Sequence, residues 1–256
     1  MQYLTPQLTQ EVIGRLKTFE NELCEVFQRY GYDLRDNLGR RNQLVSQAQE
    51  KEFARSLREI YKEVIEDGSP GKPDIFIVDI EKELECKLTS GSGKSKTFSL
   101  QTDWETLKNK KSLDYLYMLT TPDFEGFCVL FFKGLTTDDF YPPASGSRGK
   151  SRMNKSNAMK KCQALHGSFV NKTKITLQKW AIRKGVTEIE KNQKIAELRK
   201  ELSETENNKR RQKLMEMMVT ESRRYHKKME YFQRKVNLWK HKEDSFTFRF
   251  EGINNG

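Results

Sequence analysis

A segment of alternating character near the middle of the chain constrains its fold more than any other feature. Glu83-Leu-Glu-Cys-Lys-Leu88 alternates polar and apolar residues, which is the period of a half-buried β-strand. The β-forming run Asp74-Ile-Phe-Ile-Val78 precedes it, and only a short polar loop from Asp79 to Lys82 lies between them. The sequence therefore predicts a two-stranded hairpin whose second strand buries Leu84, Cys86 and Leu88.

The segments on either side of this hairpin predict an α/β fold. Apolar residues at helical spacing predict helices over 8–30 and 42–66, with a loop over 31–41 between them and a stop at the Gly- and Pro-containing segment 67–71. Further strands are predicted at 97–101, 113–119 and 127–132, and a capping box at 102–105 opens a short helix after the first of them. The resulting order, helix, three strands, helix, strand, predicts a mixed sheet flanked by helices.

The C-terminal half has a different character. After Gly134 the pattern is that of loops and helices, apart from a strand-like run over 245–250. We therefore expect an N-terminal helical segment (1–41), an α/β core (42–135) and a basic, mainly helical region (136–256).

The net charge of the chain indicates which classes of partner it binds. The 256 residues carry a formal net charge of +11, which favours a polyanionic partner, with nucleic acid ahead of an anionic membrane; a generic basic soluble protein is the alternative. The four cysteines are far apart and form no C-x-x-C pair, so they predict neither a zinc site nor a disulfide framework. The scattered cysteines fit a reducing cytoplasm. No apolar run approaches the ~20 residues that span a bilayer, so we expect a soluble, cytoplasmic protein without a membrane partner.

Two stretches of the C-terminal half are strongly basic. Residues 141–180 hold nine Lys or Arg and no acid, which favours contact with DNA over the alternative of a disordered linker. The candidate contacts to phosphates and bases are Arg148, Lys150, Arg152, Asn154, Lys155, Asn157, Lys160 and Lys161. The second stretch, 209–242, holds twelve Lys or Arg against three Glu, and its apolar residues predict a packing stripe or, with a poor heptad, a coiled-coil dimer.

The predicted hairpin brings together residues suited to phosphodiester chemistry. Glu85 and Lys87 are two apart on one strand and share a face, while Asp74 lies beside Glu85 on the neighbouring strand. Two carboxylates, with the backbone carbonyl of Cys86, form a hard-oxygen site for Mg²⁺. Lys87 can orient the attacking water and stabilise the charge of the transition state. We do not expect it to act as a simple base, because neighbouring carboxylates raise the pKa of a lysine.

These residues resemble a known family. Pro73-Asp74, ten further residues and Glu85-Cys86-Lys87 resemble the PD-(D/E)xK nuclease signature, and the predicted order of elements over roughly 42–135 is similar to that superfamily's core. A basic chain of this size most resembles a type II restriction endonuclease. The resemblance implies Mg²⁺-dependent hydrolysis of both strands of double-stranded DNA at a short specific sequence, by a monomer or a homodimer without a small-molecule cofactor.

The resemblance also suggests supporting residues, and alternatives remain open. Some members carry a helical glutamate near the metal; Glu52 is the candidate here, Glu50, Glu59 and Glu63 compete with it, and Gln101 could face the same site. The alternatives for the chain are a structure-specific or repair nuclease of the same superfamily, and a non-catalytic, sequence-specific DNA-binding protein. A purely structural amphipathic hairpin is also consistent with the pattern.

Two other kinds of site are disfavoured. Gly93-Lys94-Ser95 lacks the earlier glycine of a phosphate-binding loop, because Leu88 occupies its position. The three histidines have no metal-ligand spacing such as H-E-x-x-H. The sequence therefore argues against a fused ATPase and against a histidine-metal nuclease.

Overall fold

A computed structural model of the chain describes residues 3–69, 71–91 and 98–252. In these ranges the strands, numbered in chain order, are β1 (Val64–Glu66), β2 (Ile75–Ile77), β3 (Lys82–Ser90), β4 (Gln101–Asp103), β5 (Leu113–Thr120), β6 (Phe127–Leu135), β7 (Lys150–Arg152), β8 (Cys162–His166), β9 (Ser168–Asn171) and β10 (Phe246–Arg249). The helices are α1 (Pro6–Arg29), α2 (Leu38–Arg58), α3 (Trp104–Lys110), α4 (Lys155–Ala158), α5 (Lys172–Glu204) and α6 (Asn208–Lys240).

The predicted α/β architecture with a mixed sheet and flanking helices is confirmed. Six strands form one sheet in the order β1-β2-β3-β5-β6-β8. The first three run antiparallel, β5 lies parallel to β3, and β6 and β8 continue antiparallel. Every residue of β5 is buried, as expected for a central strand covered on both faces.

Alternation along the strands divides the interior into two cores. On one face, Leu84 and Cys86 of β3 pack with apolar residues of α1 and α2, including Leu16 and Phe53. On the other face, alternate residues of β5 and β6 pack with Leu107 of α3 and with residues from other elements. The sheet is therefore the middle layer between two cores, and side chains on its two faces meet different surroundings.

The predicted bounds of the second helix are wrong at both ends. The second helix begins at Leu38, where the side chain of Asn37 accepts a hydrogen bond from the Arg40 amide, and it ends at Arg58. Its predicted last turn is instead β1, because the β-branched Val64 and Ile65 pair with β2. The predicted order helix, three strands, helix, strand is met only in part: four strands, β1–β4, separate α2 from α3, and β1 rather than the strand predicted at 97–101 is the third strand of the main sheet on this side.

The strand predicted at 97–101 is not part of the main sheet. Thr97 lies outside the described residues, and the strand that follows, β4, pairs with β7 in a separate two-stranded sheet. The segment predicted as loop and helix after Gly134 contains β7, β8 and β9, and β8 is an edge strand of the main sheet. The strand-like run over 245–250 is confirmed as β10.

The chain divides into two compact units. The first comprises residues 1–170 and 246–256, so it includes α1 and β8 together with the strands of the predicted 42–135 core. The second comprises 171–245, in which α5 and α6 form an antiparallel hairpin. The Lys172 amide donates to the Ser245 carbonyl over 2.7 Å, so the two ends of this helical hairpin lie side by side. In the described part of the chain, no helix is long and apolar enough to cross a membrane.

Candidate active site

The register of β2 and β3 places Asp74 beside Glu85. Ile75 pairs with Leu84, so the residue before β2 lies level with the next residue of β3. One carboxylate oxygen of Asp74, Oδ2, accepts a hydrogen bond of 2.7 Å from the amide of Cys86. The backbone of β3 thereby fixes the orientation of the Asp74 carboxylate.

The three residues predicted to be catalytic come together. Lys87 Nζ lies 2.8 Å from Glu85 Oε2 and 3.5 Å from Asp74 Oδ2. The Glu85 side chain is 11% exposed and that of Lys87 35% exposed, so the carboxylate is the more enclosed of the two. The neighbouring Cys86 faces the first core, as the alternation predicted.

The surroundings shift the protonation of these groups. Burial raises the pKa of Glu85; Lys87 opposes this rise and Asp74 adds to it. For Lys87, burial alone would lower the pKa, but the negative charges of Glu85 and Asp74 outweigh it and raise the pKa above the ordinary value. Lys87 is therefore a stable cation at neutral pH, which confirms the expected direction of its shift.

Glu50 of α2 is electrostatically coupled to these three residues. Burial raises its pKa to about 7, and the negative charges of Asp74 and Glu85 add to the rise while Lys87 opposes it. This electrostatic coupling associates Glu50 with the three residues of the hairpin. From the sequence, Glu50 is only a competitor of Glu52 for the supporting role.

Glu52 points elsewhere. Its carboxylate forms an ion pair with Arg15 of α1 and lies 4.0 Å from Arg55. Residues two apart on a helix are rotated by about 200°, so Glu50 and Glu52 flank the buried stripe of α2 on opposite sides. The helical pattern in the sequence identifies both edges, but only the packing of α2 shows which edge faces the hairpin.

The Gln101 side chain and the Cys86 carbonyl, both predicted to face the site, lie in different surroundings. The Gln101 side chain is exposed on β4 and donates to Ser99 Oγ over 3.0 Å. The amide and the carbonyl of one residue in a strand point to the same edge. Because the Cys86 amide reaches Asp74, its carbonyl also points to the Asp74 side of β3.

The donor set fits a hard divalent cation. Asp74 and Glu85 provide carboxylate oxygens around one position, and a cation, the Lys87 ammonium, is held between them. Among the described residues, no group of three or more His, Cys, Asp or Glu side chains has the arrangement of a metal site. Mg²⁺ is commonly bound by only one or two carboxylates and keeps several waters, so the two carboxylates match its usual requirements.

The predicted DNA contacts on and before β7 are exposed. Arg148 lies in a turn with φ of 52°, and Lys150 is 3.7 Å from Asp103 Oδ2. The guanidinium of Arg152 lies over the ring of Tyr141, 5.5 Å from its centroid. All three cations remain accessible to solvent, and their contact with DNA stays a prediction.

The remaining predicted contacts are partly engaged within the protein. Lys155 Nζ donates to the Phe98 carbonyl over 2.7 Å, and Asn157 donates to the Asp138 carbonyl over 3.1 Å. Lys161 forms a 2.7 Å ion pair with the buried Asp139. The side-chain oxygen of Asn154 is buried and has no hydrogen-bond partner in the described part of the chain. Lys160 is exposed and lines, with Lys161, a pocket of about 670 Å³.

Comparison with known proteins gives no further assignment. No protein-family model, no curated protein and no solved structure matches the chain.

Proposed function

We propose that this chain is a Mg²⁺-dependent endonuclease that hydrolyses phosphodiester bonds in double-stranded DNA. One observation carries the proposal: Asp74, Glu85 and Lys87 converge around a single position on adjacent strands. The resemblance of these residues to the PD-(D/E)xK signature supports it, as does the position of β3 between β2 and β5 in a mixed sheet on which α2 packs. The net charge of +11 is consistent with a polyanionic substrate.

Each residue of the site has a distinct role in this proposal. Asp74, Glu85 and the Cys86 carbonyl would hold the metal, and the Asp74 carboxylate is already oriented by its hydrogen bond to β3. Bound Mg²⁺ lowers the pKa of a water molecule and neutralises charge on the phosphate. Glu50 adds a carboxylate whose pKa of about 7 suits an exchange of protons with water at neutral pH.

Lys87 acts as a fixed positive charge. Its raised pKa keeps it protonated, so its ammonium can donate hydrogen bonds to a phosphate oxygen or to the attacking water. Because it is partly exposed, it can turn from the carboxylates toward a substrate. Its contribution is therefore to the transition state rather than to the affinity for DNA.

Type II restriction is the form of this activity that we propose, with cleavage of both strands at a short specific sequence. The test is incubation of the protein with plasmid DNA and Mg²⁺, followed by sequencing of the ends. Discrete fragments with 5′-phosphate ends support the proposal, and a smear indicates a structure-specific or non-specific nuclease instead.

Glu85→Gln should abolish cleavage, whereas Glu105→Gln, at an exposed position of α3, should not. DNA binding without any cleavage would make the chain a binding protein.

A further inference from the structure

Nearly all the net positive charge belongs to the helical hairpin. Residues 171–245 contain twenty-one Lys and Arg against eleven Asp and Glu, a net charge of +10 out of +11. The rest of the chain, which includes the candidate active site, contains twenty-six against twenty-five and is close to neutral. The second unit is thus the stronger electrostatic attractor for a polyanion, even though the basic, acid-free stretch 141–170 lies in the first.

The charge on α6 lies on a definite face. Leu214, Phe232 and Val236 are the buried residues of this helix. At 100° per residue, the side of the helix opposite to them carries five exposed cations, which we call the α6 ridge: Lys209, Lys213, Arg223, Lys227 and Arg234. The ridge is therefore the outward side of the same amphipathic helix whose apolar stripe packs inside the hairpin.

The cations of the α6 ridge differ from neighbouring cations of the same helix in whether they form ion pairs with carboxylates. Arg210, Arg224 and Lys228 of the same helix form ion pairs with Glu201, Glu221 and Glu190. Within the described ranges, no ion pair joins a ridge cation to a carboxylate. Two acids, Glu216 and Glu230, lie on the same side, and Glu230 is 3.3 Å from His226. The ridge keeps a clear excess of positive charge.

We propose that the α6 ridge binds the phosphate backbone of double-stranded DNA. The identity of the polyanion rests on the proposed function; the charge and its position do not. From Lys209 to Arg234 the ridge is about 38 Å long at 1.5 Å per residue, close to one helical turn of B-DNA at roughly 34–36 Å. Lys and Arg side chains at this spacing can neutralise phosphates along such a turn and release counterions.

Other partners match the ridge less well. A second copy of the hairpin would bring two rows of like charge together if the ridges met, which is unfavourable. A membrane-surface helix needs a broad apolar face exposed beside its cations. On the outward side of α6 the exposed large apolar side chains are Val219, Tyr231 and Leu238, at 50%, 44% and 54% exposure. They are separated from one another along the helix and stand among charged residues, so they do not form a broad apolar face. DNA is therefore the occupant that the ridge fits.

The test uses the whole chain and measures binding, not cleavage. Lys213, Lys227 and Arg234 are all replaced by Gln, which is a good helix former at exposed positions. The matched control replaces Lys194, Lys200 and Arg210 by Gln; it removes the same charge from cations that pair with glutamates. Circular dichroism confirms that both variants remain helical. A fluorescent 30-base-pair duplex is then titrated in Ca²⁺ over a range of salt concentrations.

The ridge variant should flatten the slope of log affinity against log salt by about 0.9 for each phosphate that is no longer neutralised, or roughly two to three units in all. The control variant should change this slope by less than about one unit. Equal changes in both variants, or none in either, would remove the ridge from the DNA interface. Anionic phosphatidylserine vesicles provide a second arm: loss of vesicle binding with unchanged DNA binding would assign the ridge to membranes. A chain that binds DNA through the ridge but never cuts it supports the ridge and contradicts the nuclease.

Discussion

The raised pKa of Glu50 predicts that this residue destabilises the folded protein at neutral and alkaline pH. Its folded-state pKa is about 7 against an ordinary value of 4.5. The folded state therefore holds a proton on Glu50 between these values, whereas the unfolded state has released it. Stability should fall as pH rises from about 4.5 to about 7, and then stay constant. Glu50→Gln should remove this dependence.

The size of the effect follows from the shift. The difference between 4.5 and about 7 sets an upper limit of about 3 kcal/mol. Since part of the Glu50 side chain is exposed, solvent screening reduces this, and we expect Glu50→Gln to stabilise the chain by about 1–2 kcal/mol at pH 8. At pH 4, where the carboxyl is protonated in both states, the variant and the wild type should be nearly equal.

Urea denaturation at pH 4, 6 and 8, in excess chelator, measures this difference. Glu52→Gln is the matched control, because it removes a carboxylate from the same helix that pairs with Arg15 instead of facing the candidate site. The control should destabilise the chain or leave it unchanged at pH 8. A Glu50→Gln protein that is no more stable than wild type at pH 8 would refute the raised pKa of Glu50, which its burial causes first and the charges of Asp74 and Glu85 increase.

Three further predictions concern the proposed cleavage. Lys87→Met should abolish cutting while DNA affinity in Ca²⁺ stays within about twofold, because the lost charge acts in the transition state; Lys108→Met, at an exposed position of α3, should cut normally in the same gel assay. Mg²⁺ should support cutting and Ca²⁺ only binding, and full activity in excess chelator would exclude the oxygen-ligated metal. Arg152→Ala should reduce discrimination against one wrong base pair by on the order of 1–3 kcal/mol if this exposed cation reads a base; equal weakening on cognate and random duplexes would assign it to phosphates.

The β2–β3 hairpin of the candidate site could be predicted because its pairing depends on residues that are close together in the sequence. A period of two along β3 determines which residues share a face, and a short loop makes β2 its neighbour. Asp74, Glu85 and Lys87 therefore follow from the sequence without knowledge of the remaining fold. The position of Glu50 does not, because the packing of α2 on the sheet decides which edge of the helix meets the hairpin.

The strands that the sequence did not predict are short or lie at edges. Val64 and Ile65 continue the apolar spacing of α2, so a helical period absorbs them until their pairing with β2 is known. In β8 only Leu165 is buried, and the other residues are exposed or half-buried, so the strand shows little alternation. Such a segment becomes a strand through its pairing with β6, which is a long-range contact that no local pattern contains.

The return of β10 to the first unit limits when that unit can complete its fold. After the α5–α6 hairpin, β10 returns to the first unit, where Phe248 is buried in the second core and Glu251 pairs with Phe127 of β6. Proteins synthesised on the ribosome begin to fold from the N-terminal side, yet this core stays incomplete until residues near 250 have emerged. The helical hairpin, whose contacts are more local, can form earlier. A nascent chain would therefore contain its basic helical hairpin before its candidate active site is fully supported. Any DNA cleavage would begin only after synthesis has passed β10.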